Sequence, residues 1–286
     1  MFDIAAFTSD QAQHQDPPSA ASHSAVATLG AHLLACLHIH PNNSTSTTTR
    51  SKTASRLMSP QALAARGFRP LGEGDVAHYL AQHAGVAGRL GGTPAEWRVE
   101  EVGDGNLNFV YIVKGPSAAV VLKQALPYVR CVGESWPMTL ERAFFETSAL
   151  RVQGALCAGR VPEVYAFDHP MAVTVMQYLA PPHIILRKGL IAGVVYPRLA
   201  EHVGGFMAAT LFHTSLLALS TEQHQTAVAK YCGNVEMCRL TEQVVFTEPY
   251  CEASNNRWTT PELDSDAKAV REDDGCKLAI AELKAK

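Results

Sequence analysis

The residues with the clearest chemical potential are a glycine turn and a lysine that follows it on a strand. Gly103 and Gly105 lie in the turn, and Lys123 comes fifteen residues after Asn108, at the end of an apolar run. Glycine allows the backbone to approach a ligand closely, so that its N–H groups can face a phosphate. Enzymes that transfer a phosphoryl group hold ATP with such a loop and a cation from a neighbouring strand. A glycine turn alone is also typical of a plain hairpin, so the prediction depends on the residues that follow.

A helix downstream of the lysine offers an acidic partner for it. Apolar residues recur at helical spacing through residues 137–154, which predicts an amphipathic helix with Glu146 beside its apolar face. In kinases a helix glutamate pairs with the strand lysine and holds its ammonium against the phosphates. We therefore predict a pair between Lys123 and Glu146. Two alternatives stay open: Glu146 is a solvated surface residue, or Glu141, more than one turn earlier, takes its place.

Apolar runs predict strands around this turn, and the last strand leads to a third candidate feature. Residues 171–176 are almost entirely apolar, as in a strand buried on both faces. The run continues into Gln177, Tyr178 and Leu179, where free backbone N–H and C=O groups would bind the edge of adenine. The predicted strands cover residues 97–99, 109–113, 118–122, 161–167 and 171–179.

Helical periodicity is present on both sides of this segment. Glycines at positions 85, 88, 91 and 92 are expected to end the first helix. The residues from Pro249 to about position 274 lack periodicity and are expected to form a loop. The predicted helices cover residues 76–83, 197–219, 220–246 and 276–284.

Composition limits the partners and the compartment. The net charge of -3 predicts no strong attraction to nucleic acid or to an anionic membrane surface. No apolar run reaches the ~20 residues of a membrane-spanning helix. The seven cysteines are odd in number and none form a C-x-x-C pair, which favours reduced thiols in the cytoplasm. Organellar targeting by residues 1–58 and assembly into a homodimer stay open as alternatives.

Five short segments, in order along the chain, resemble one family of small-molecule kinases. The turn reads Gly-Asp-Gly-Asn-Leu-Asn, and the lysine segment reads Lys-Gln-Ala-Leu-Pro-Tyr. The remaining three segments are residues 132–137, 187–190 and 245–249. From about residue 97 to residue 250, the sequence therefore resembles the S-methyl-5-thioribose kinases.

The resemblance implies a protein-kinase-like, bilobal α+β fold in three parts. Residues 59–179 would form a complete, nucleotide-binding N-lobe with an antiparallel sheet, and residues 180–286 a partial, helical C-lobe. Residues 1–58 are rich in Ala, Ser, Thr and His and contain no acidic residue after Asp16. This composition predicts either disorder or a targeting segment. The implied reaction transfers the γ-phosphoryl group of ATP, with Mg²⁺, to the C1 hydroxyl of methylthioribose in methionine salvage.

The same resemblance assigns roles to individual residues. Asn108 would contact ATP from the glycine loop, and Lys123 would contact its phosphates. Gln177, Tyr178 and Leu179 would form the hinge that holds adenine, although the first two depart from the acidic residues of the family. Trp136 resembles a residue of the family's tryptophan loop near the nucleotide. Its alternative role is packing before the following helix.

Two motifs of the family are missing from the sequence. Neither the catalytic motif His-Gly-Asp-Leu-His nor the metal-binding motif Asp-Pro-Glu occurs. We therefore assign no catalytic and no metal-binding residue, and expect an N-terminal fragment with very low turnover. The alternative function is a catalytically inactive nucleotide-binding or interaction fragment. In both cases the helix at residues 197–219 is expected to expose an apolar patch.

Overall fold

The structure is a computed structural model that describes residues 5–7, 58–103, 107–130, 132–253 and 256–285. Gly105 lies outside these residues, as does nearly all of the segment 1–58, so the predictions made for them stay predictions. The chain divides into two compact units. The described residues of the first unit are 5–7, 58–103, 107–130 and 132–234, and those of the second are 235–253 and 256–285.

The described strands lie in the first unit and pair in antiparallel fashion. The main sheet has five strands in the order β2-β3-β4-β8-β7, and two further sheets pair β1 with β9 and β5 with β6. The strands are β1 (Ala5–Phe7), β2 (Arg98–Glu101), β3 (Asn108–Lys114), β4 (Ala119–Ala125), β5 (Tyr128–Val129), β6 (Gly133–Pro137), β7 (Val164–Asp168), β8 (Val173–Gln177) and β9 (Ile184–Ile185).

Helices precede, interrupt and follow the sheet, so the fold class is α+β, as predicted. In the first unit the helices are α1 (Pro60–Arg66), α2 (Glu73–Ala81), α3 (Ala84–Leu90), α4 (Arg142–Leu156), α5 (Leu186–Ile191), α6 (Leu199–His213) and α7 (Thr221–Tyr231). In the second unit they are α8 (Val235–Phe246), α9 (Asp264–Glu272) and α10 (Asp274–Ala285). In the part of the chain described here, no helix combines the length and apolar character needed to cross a bilayer.

The central strand β4 separates two packed layers. Val120, Leu122 and Gln124 are buried on one face, whereas Val121 and Lys123 are half-buried on the other. This alternation follows from the period of two in a strand. The first face packs against α2 and α3 to form the main core. Its buried members are Leu71, Val76, Tyr79, Leu80, Val86, Leu90, Trp97, Tyr111, Val113, Val120, Leu122, Met171, Val173 and Val175.

A buried glutamine of the main core forms hydrogen bonds to the backbone of two other segments, one before α2 and one before β8. Gln124 is completely buried and donates from Nε2 to the carbonyl oxygens of Arg69, at 2.8 Å, and Met171, at 3.1 Å. Its Oε1 accepts from the backbone N–H of Leu71 at 2.8 Å. A buried amide without partners would cost free energy, so the three bonds are what allow a polar residue at this position.

The opposite face of the sheet is covered by α4, which packs against β4, β7 and β8. A second, smaller core cluster lies here and contains Phe68, Ala125, Leu126, Leu140, Ala143 and Ala172. Strand β8 lies between β4 and β7, and Val173 to Met176 are buried on both of its faces, as the apolar run predicted.

The first predicted helix, α2, ends at Ala81, before the glycine-rich segment that was expected to end it. Gly85 and Gly88 nevertheless lie within a second helix, α3. Val86 and Leu90 of this helix are buried in the main core, and this burial offsets the glycines' poor helix propensity. The charged stretch expected to be a loop contains α9.

The helices α6 and α7 have no buried residue. Met207, Leu211 and Phe212 of α6 are exposed, and so are Leu216 and Leu217 after it. The apolar patch expected for this stretch is therefore present in the first unit. The single helix predicted for residues 220–246 is two helices, α7 and α8, separated by residues 232–234.

Candidate functional site

Lys123 lies in the middle of the sheet, on the face that α4 covers. The register places it opposite Val110 of β3 and opposite Thr174 of β8. Residues directly opposite one another in an antiparallel pair point to the same face. The lysine therefore extends from a rigid, three-stranded platform rather than from a loop.

The structure brings Lys123 and Glu146 together. Lys123 Nζ lies 2.6 Å from Glu146 Oε1, and the two side chains are 23% and 27% exposed. Glu146 is on α4, and the next residue, Thr147, shares a hydrogen bond of 2.7 Å with Thr174 of β8. Because Thr174 is directly opposite Lys123, this bond holds the helix at the position where the carboxylate meets the ammonium.

The competing residue Glu141 is engaged elsewhere. Its Oε1 accepts from Arg66 Nη1 at 2.5 Å, and its Oε2 lies 2.8 Å from His169 Nε2. Burial raises the pKa of Glu141, but the hydrogen bonds and charges of Arg66 and His169 outweigh burial and hold the pKa below its usual value. Glu141 thus joins α1, α4 and the β7–β8 turn, and its partners are not those of the predicted site.

The glycine loop connects β2 to β3, and both of its ends are attached to arginines. We call residues 102–107 the glycine loop. At its first end, Glu101 forms an ion pair with Arg130, whose guanidinium also lies 4.9 Å from the ring centre of Phe109. The backbone N–H of Val102 donates to the carbonyl oxygen of Val110 at 2.8 Å. Gly103 is exposed at the start of the loop.

The second end of the loop is held by Arg142, a residue that the sequence analysis missed. Arg142 Nη2 donates to the carbonyl oxygen of Leu107 at 3.2 Å and to Asn108 Oδ1 at 2.9 Å. Its Nη1 donates to the carbonyl oxygens of Leu126, at 2.7 Å, and Thr139, at 2.6 Å. The side chain is only 7% exposed, and burial lowers the pKa of Arg142 to about 10.

The available sequence signal for Arg142 was its position four residues before Glu146. Residues with this spacing are neighbours on a helix, and the charge of Glu146 partly offsets the effect of burial on the pKa of Arg142. Arginine is ordinarily exposed, so nothing in the local pattern predicted that this one would be buried.

The predicted hinge follows directly from β8. Gln177 is the last residue of the strand and lies opposite Val120 of β4, three residues before Lys123. Its backbone N–H donates to the carbonyl oxygen of Glu163 at 2.8 Å. No backbone hydrogen bond between described residues uses the N–H group of Tyr178 or Leu179.

Trp136 lies on β6, in the two-stranded sheet that follows β4. The side chain is half-buried, and the neighbouring Glu134 and Ser135 are exposed. The structure thus places Trp136 on a short hairpin outside the five-stranded sheet. Both of its predicted roles, contact with a nucleotide and packing before α4, stay predictions.

The residues predicted to bind ATP lie on the sheet, at the glycine loop and directly after β8. Lys123 provides a fixed cation, Asn108 an amide at the base of the glycine loop, and the chain after β8 provides backbone donors. Among the described residues, no group of three His, Cys, Asp or Glu side chains could hold a metal ion. These residues therefore do not form a Mg²⁺ site by themselves.

Three curated proteins that the chain resembles are named methylthioribose kinases. Methylthioribose kinase 1 of Oryza sativa subsp. japonica is 61% identical over 219 residues, which are 77% of this chain and 51% of the relative. The enzyme of Escherichia coli O45:K1 is 48% identical over 200 residues, 69% of this chain and 47% of the relative. The enzyme of Geobacillus kaustophilus is 42% identical over 207 residues, 70% of this chain and 51% of the relative.

These similarities extend over most of the chain, although no model of a known protein family matches it. The chain spans about half the length of the curated relatives it matches. The matched length is much greater than the glycine loop and lysine strand alone, and the fold predicted from the family's kinases agrees with the α+β architecture. With identities of 42–61% to these three enzymes, the chain belongs to the methylthioribose kinase family.

Proposed function

We propose that this protein takes part in the ATP-dependent phosphorylation of the C1 hydroxyl of S-methyl-5-thioribose in methionine salvage. Its sequence lacks the family's catalytic and metal-binding motifs, so we expect its own turnover to be very low. The described residues of its sheet and α4 would hold the ATP. The observation that carries this proposal is the ion pair between Lys123 and Glu146, 2.6 Å apart. The names of the relatives support the choice of substrate.

The pair explains how a lysine can be positioned for phosphates. A lysine side chain has four rotatable bonds and loses conformational entropy when it is held in place. Glu146 holds the ammonium before ATP arrives, so less of that cost falls on binding. The ammonium has three N–H donors, and one bond to Glu146 leaves two for phosphate oxygens.

The adenine end of the nucleotide would be recognised by backbone groups rather than side chains. The N–H groups of Tyr178 and Leu179 have no backbone partner among the described residues. Recognition through the backbone does not depend on side-chain identity. The departure of Gln177 and Tyr178 from the family's acidic residues is therefore compatible with adenine binding.

The remaining parts of the proposal concern the metal, the assembly and the compartment. Enzymes of this kind use ATP with a divalent cation, and we propose Mg²⁺. Among the described residues, no group of three His, Cys, Asp or Glu side chains could supply its ligands. A cytoplasmic location and a homodimer stay predictions.

The proposal is tested by replacing Lys123 and a matched lysine on the neighbouring strand. Lys114 of β3 also pairs with a glutamate, Glu100, at 3.0 Å, but it lies at the far end of the strand. Calorimetry should show ATP affinity falling at least about tenfold in Lys123→Met, since a charged hydrogen-bonding partner is lost. Lys114→Met should bind ATP like the unmodified protein. Adenosine, which lacks phosphates, should bind all three proteins equally.

A second measurement addresses the substrate. Transfer of the γ-phosphoryl group from ATP to methylthioribose, compared with transfer to ribose and choline, should be selective for methylthioribose. Equal ATP affinity in Lys123→Met and Lys114→Met would contradict the proposed role of the pair. ATP binding without phosphoryl transfer to any of the three acceptors would instead assign the nucleotide-binding function alone.

A further inference from the structure

A single buried side chain connects the glycine loop to the helix that carries Glu146. Arg142, the first residue of α4, donates four hydrogen bonds to oxygen atoms of Leu107, Asn108, Leu126 and Thr139. These acceptors belong to the loop and β3, to the chain after β4, and to the turn before α4. Arg142 is therefore the point at which three segments around the site are fixed to one another.

The contact with Asn108 determines how that side chain is presented. A guanidinium group only donates hydrogen bonds, so the atom that lies 2.9 Å from Arg142 Nη2 must be the amide oxygen. The amide nitrogen, with its two N–H donors, is then the other end of the side chain. Donors are what phosphate oxygens require, whereas the opposite orientation would present an oxygen to an anion.

Arg142 also lies one helical turn before Glu146, but its four bonds go to other oxygens. The only remaining donor, Nε, is buried and has no hydrogen-bond partner among the described residues. Glu146 remains paired with Lys123. The main-chain carbonyls thus keep the arginine occupied, and the carboxylate is left to hold the lysine.

We propose that Arg142 is a positioning residue for phosphate binding, which fixes the second end of the glycine loop and the amide of Asn108 relative to Lys123. This inference rests on the proposed ATP-binding function. It assigns Arg142 no contact with the substrate; the residue acts through Asn108 and the loop. The predicted consequence is confined to the phosphate part of the nucleotide.

The test compares ATP with adenosine in Arg142→Lys. A lysine keeps the positive charge but is a point donor and cannot reproduce the planar fork that reaches four oxygens. Calorimetry should show ATP affinity lowered about tenfold, as expected for loss of charge-assisted hydrogen bonds. Adenosine affinity should change less than about twofold. Where the protein turns over, KM for ATP should rise while KM for methylthioribose stays constant.

A matched control separates positioning from general destabilisation. Gln124 is also buried and also bonds to three backbone groups, but on the sheet face opposite Lys123. Gln124→Ala should lower the melting temperature and leave the ratio of ATP to adenosine affinity unchanged. A proportional loss of both affinities in Arg142→Lys would show a purely structural role and would overturn the inference.

Asn108→Ala keeps the test decisive if Arg142→Lys folds poorly, because it removes the group through which Arg142 acts and leaves the buried arginine in place. Its ATP affinity should fall while its adenosine affinity stays constant. Where Arg142→Lys folds, the double variant should bind ATP no more weakly than the weaker single variant. Full additivity, or wild-type ATP affinity in Asn108→Ala, would contradict the inference. Lys123→Met, measured in parallel, tests the proposed function itself. Loss of ATP binding there, with normal binding in Arg142→Lys, would overturn only the positioning role.

Discussion

The five-stranded sheet and the helices α6 and α7 belong to the same compact unit but bury their apolar residues very differently. Tyr111, Val113 and Leu122 of the sheet are at most 1% exposed. By contrast, Leu211 of α6 is 64% exposed, and Leu217, between α6 and α7, is 82% exposed. Both regions have the hydrophobic periodicity of their element type. Periodicity therefore indicates which element forms, while burial depends on whether another element covers its apolar face.

The candidate site belongs to the buried region, and this explains its precision. Lys123 and Glu146 are held by strands and a helix that pack on the two core clusters of the sheet. A group used for binding must be held within a fraction of an ångström, which an element without buried contacts cannot provide. The comparison predicts that equivalent substitutions in the two regions have unequal effects.

Truncation of a leucine should produce the largest difference in the free energy of unfolding between the two regions. Leu122→Ala should lower the free energy of unfolding by about 2–5 kcal/mol, because it removes buried surface and leaves a cavity. Leu217→Ala should change it by less than about 0.5 kcal/mol, since that side chain is already 82% exposed. Urea unfolding monitored by the fluorescence of buried Trp97 measures both, and equal effects would remove the basis of the comparison.

Glycine substitutions should have opposite signs in the two regions. A Cβ at Gly115 would lie 2.4 Å from the carbonyl oxygen of Leu90, so the backbone would have to move. Gly115→Ala should destabilise by about 1–3 kcal/mol. At Gly204 in α6, a Cβ would meet nothing within 4 Å. Gly204→Ala should stabilise by about 0.5–1 kcal/mol because alanine favours the helix. Thermal unfolding of both variants checks the signs, and two shifts in the same direction would contradict the prediction.

Removing a threonine hydroxyl should give a smaller difference in stability between the two regions. Thr147 is bonded to Thr174 across the helix–sheet interface at 2.7 Å, whereas Thr210 of α6 donates to Phe206 of its own helix at 2.9 Å. Thr147→Val should cost about 1–2 kcal/mol because it leaves a buried hydroxyl without its partner. Thr210→Val should cost less than about 0.5 kcal/mol. Thr147→Val should also weaken ATP binding, which calorimetry would show. Unchanged ATP affinity would mean that ATP binding does not depend on the hydrogen bond between α4 and β8.

The sequence contained enough information for the sheet and for the approach of Glu146 to Lys123. Alternation and helical spacing are local, and they placed the lysine on a strand and the glutamate beside an apolar helix face. The antiparallel register then brought the two groups together without any unusual feature. The two residues were therefore predictable as a pair, although their role in ATP binding stays a prediction.

Features that depend on distant partners were not predictable. Arg142 is buried because carbonyl oxygens of Leu107 and Leu126, remote in sequence, surround it. The helix α3 persists through two glycines because the core accepts Val86 and Leu90. In each case a contact between distant segments reverses what the local residue types favour.

The smallest difference in the free energy of unfolding is expected when one carboxylate of a charge pair is neutralised. The pKa of Glu141 is lower in the folded protein than in the unfolded chain. Its ionised carboxylate therefore makes its full contribution to the free energy of unfolding at pH values above the unfolded pKa of about 4.3. The contribution is lost as the pH falls through the folded pKa. Glu141 is 39% exposed, so solvent screens it, and Glu141→Gln should cost less than about 1 kcal/mol near neutral pH.

The matched variant is Glu201→Gln in α6, where a hydrogen bond from Arg198 lowers the pKa of an exposed carboxyl group. At physiological salt this variant should unfold like the unmodified protein, because exposed pairs are screened. Urea unfolding across the acid range should show the deficit of Glu141→Gln shrinking as the pH falls through the folded pKa. A deficit that persists at all pH values would mean that Glu141 stabilises by packing, and the two regions would then differ in shape complementarity but not in electrostatics.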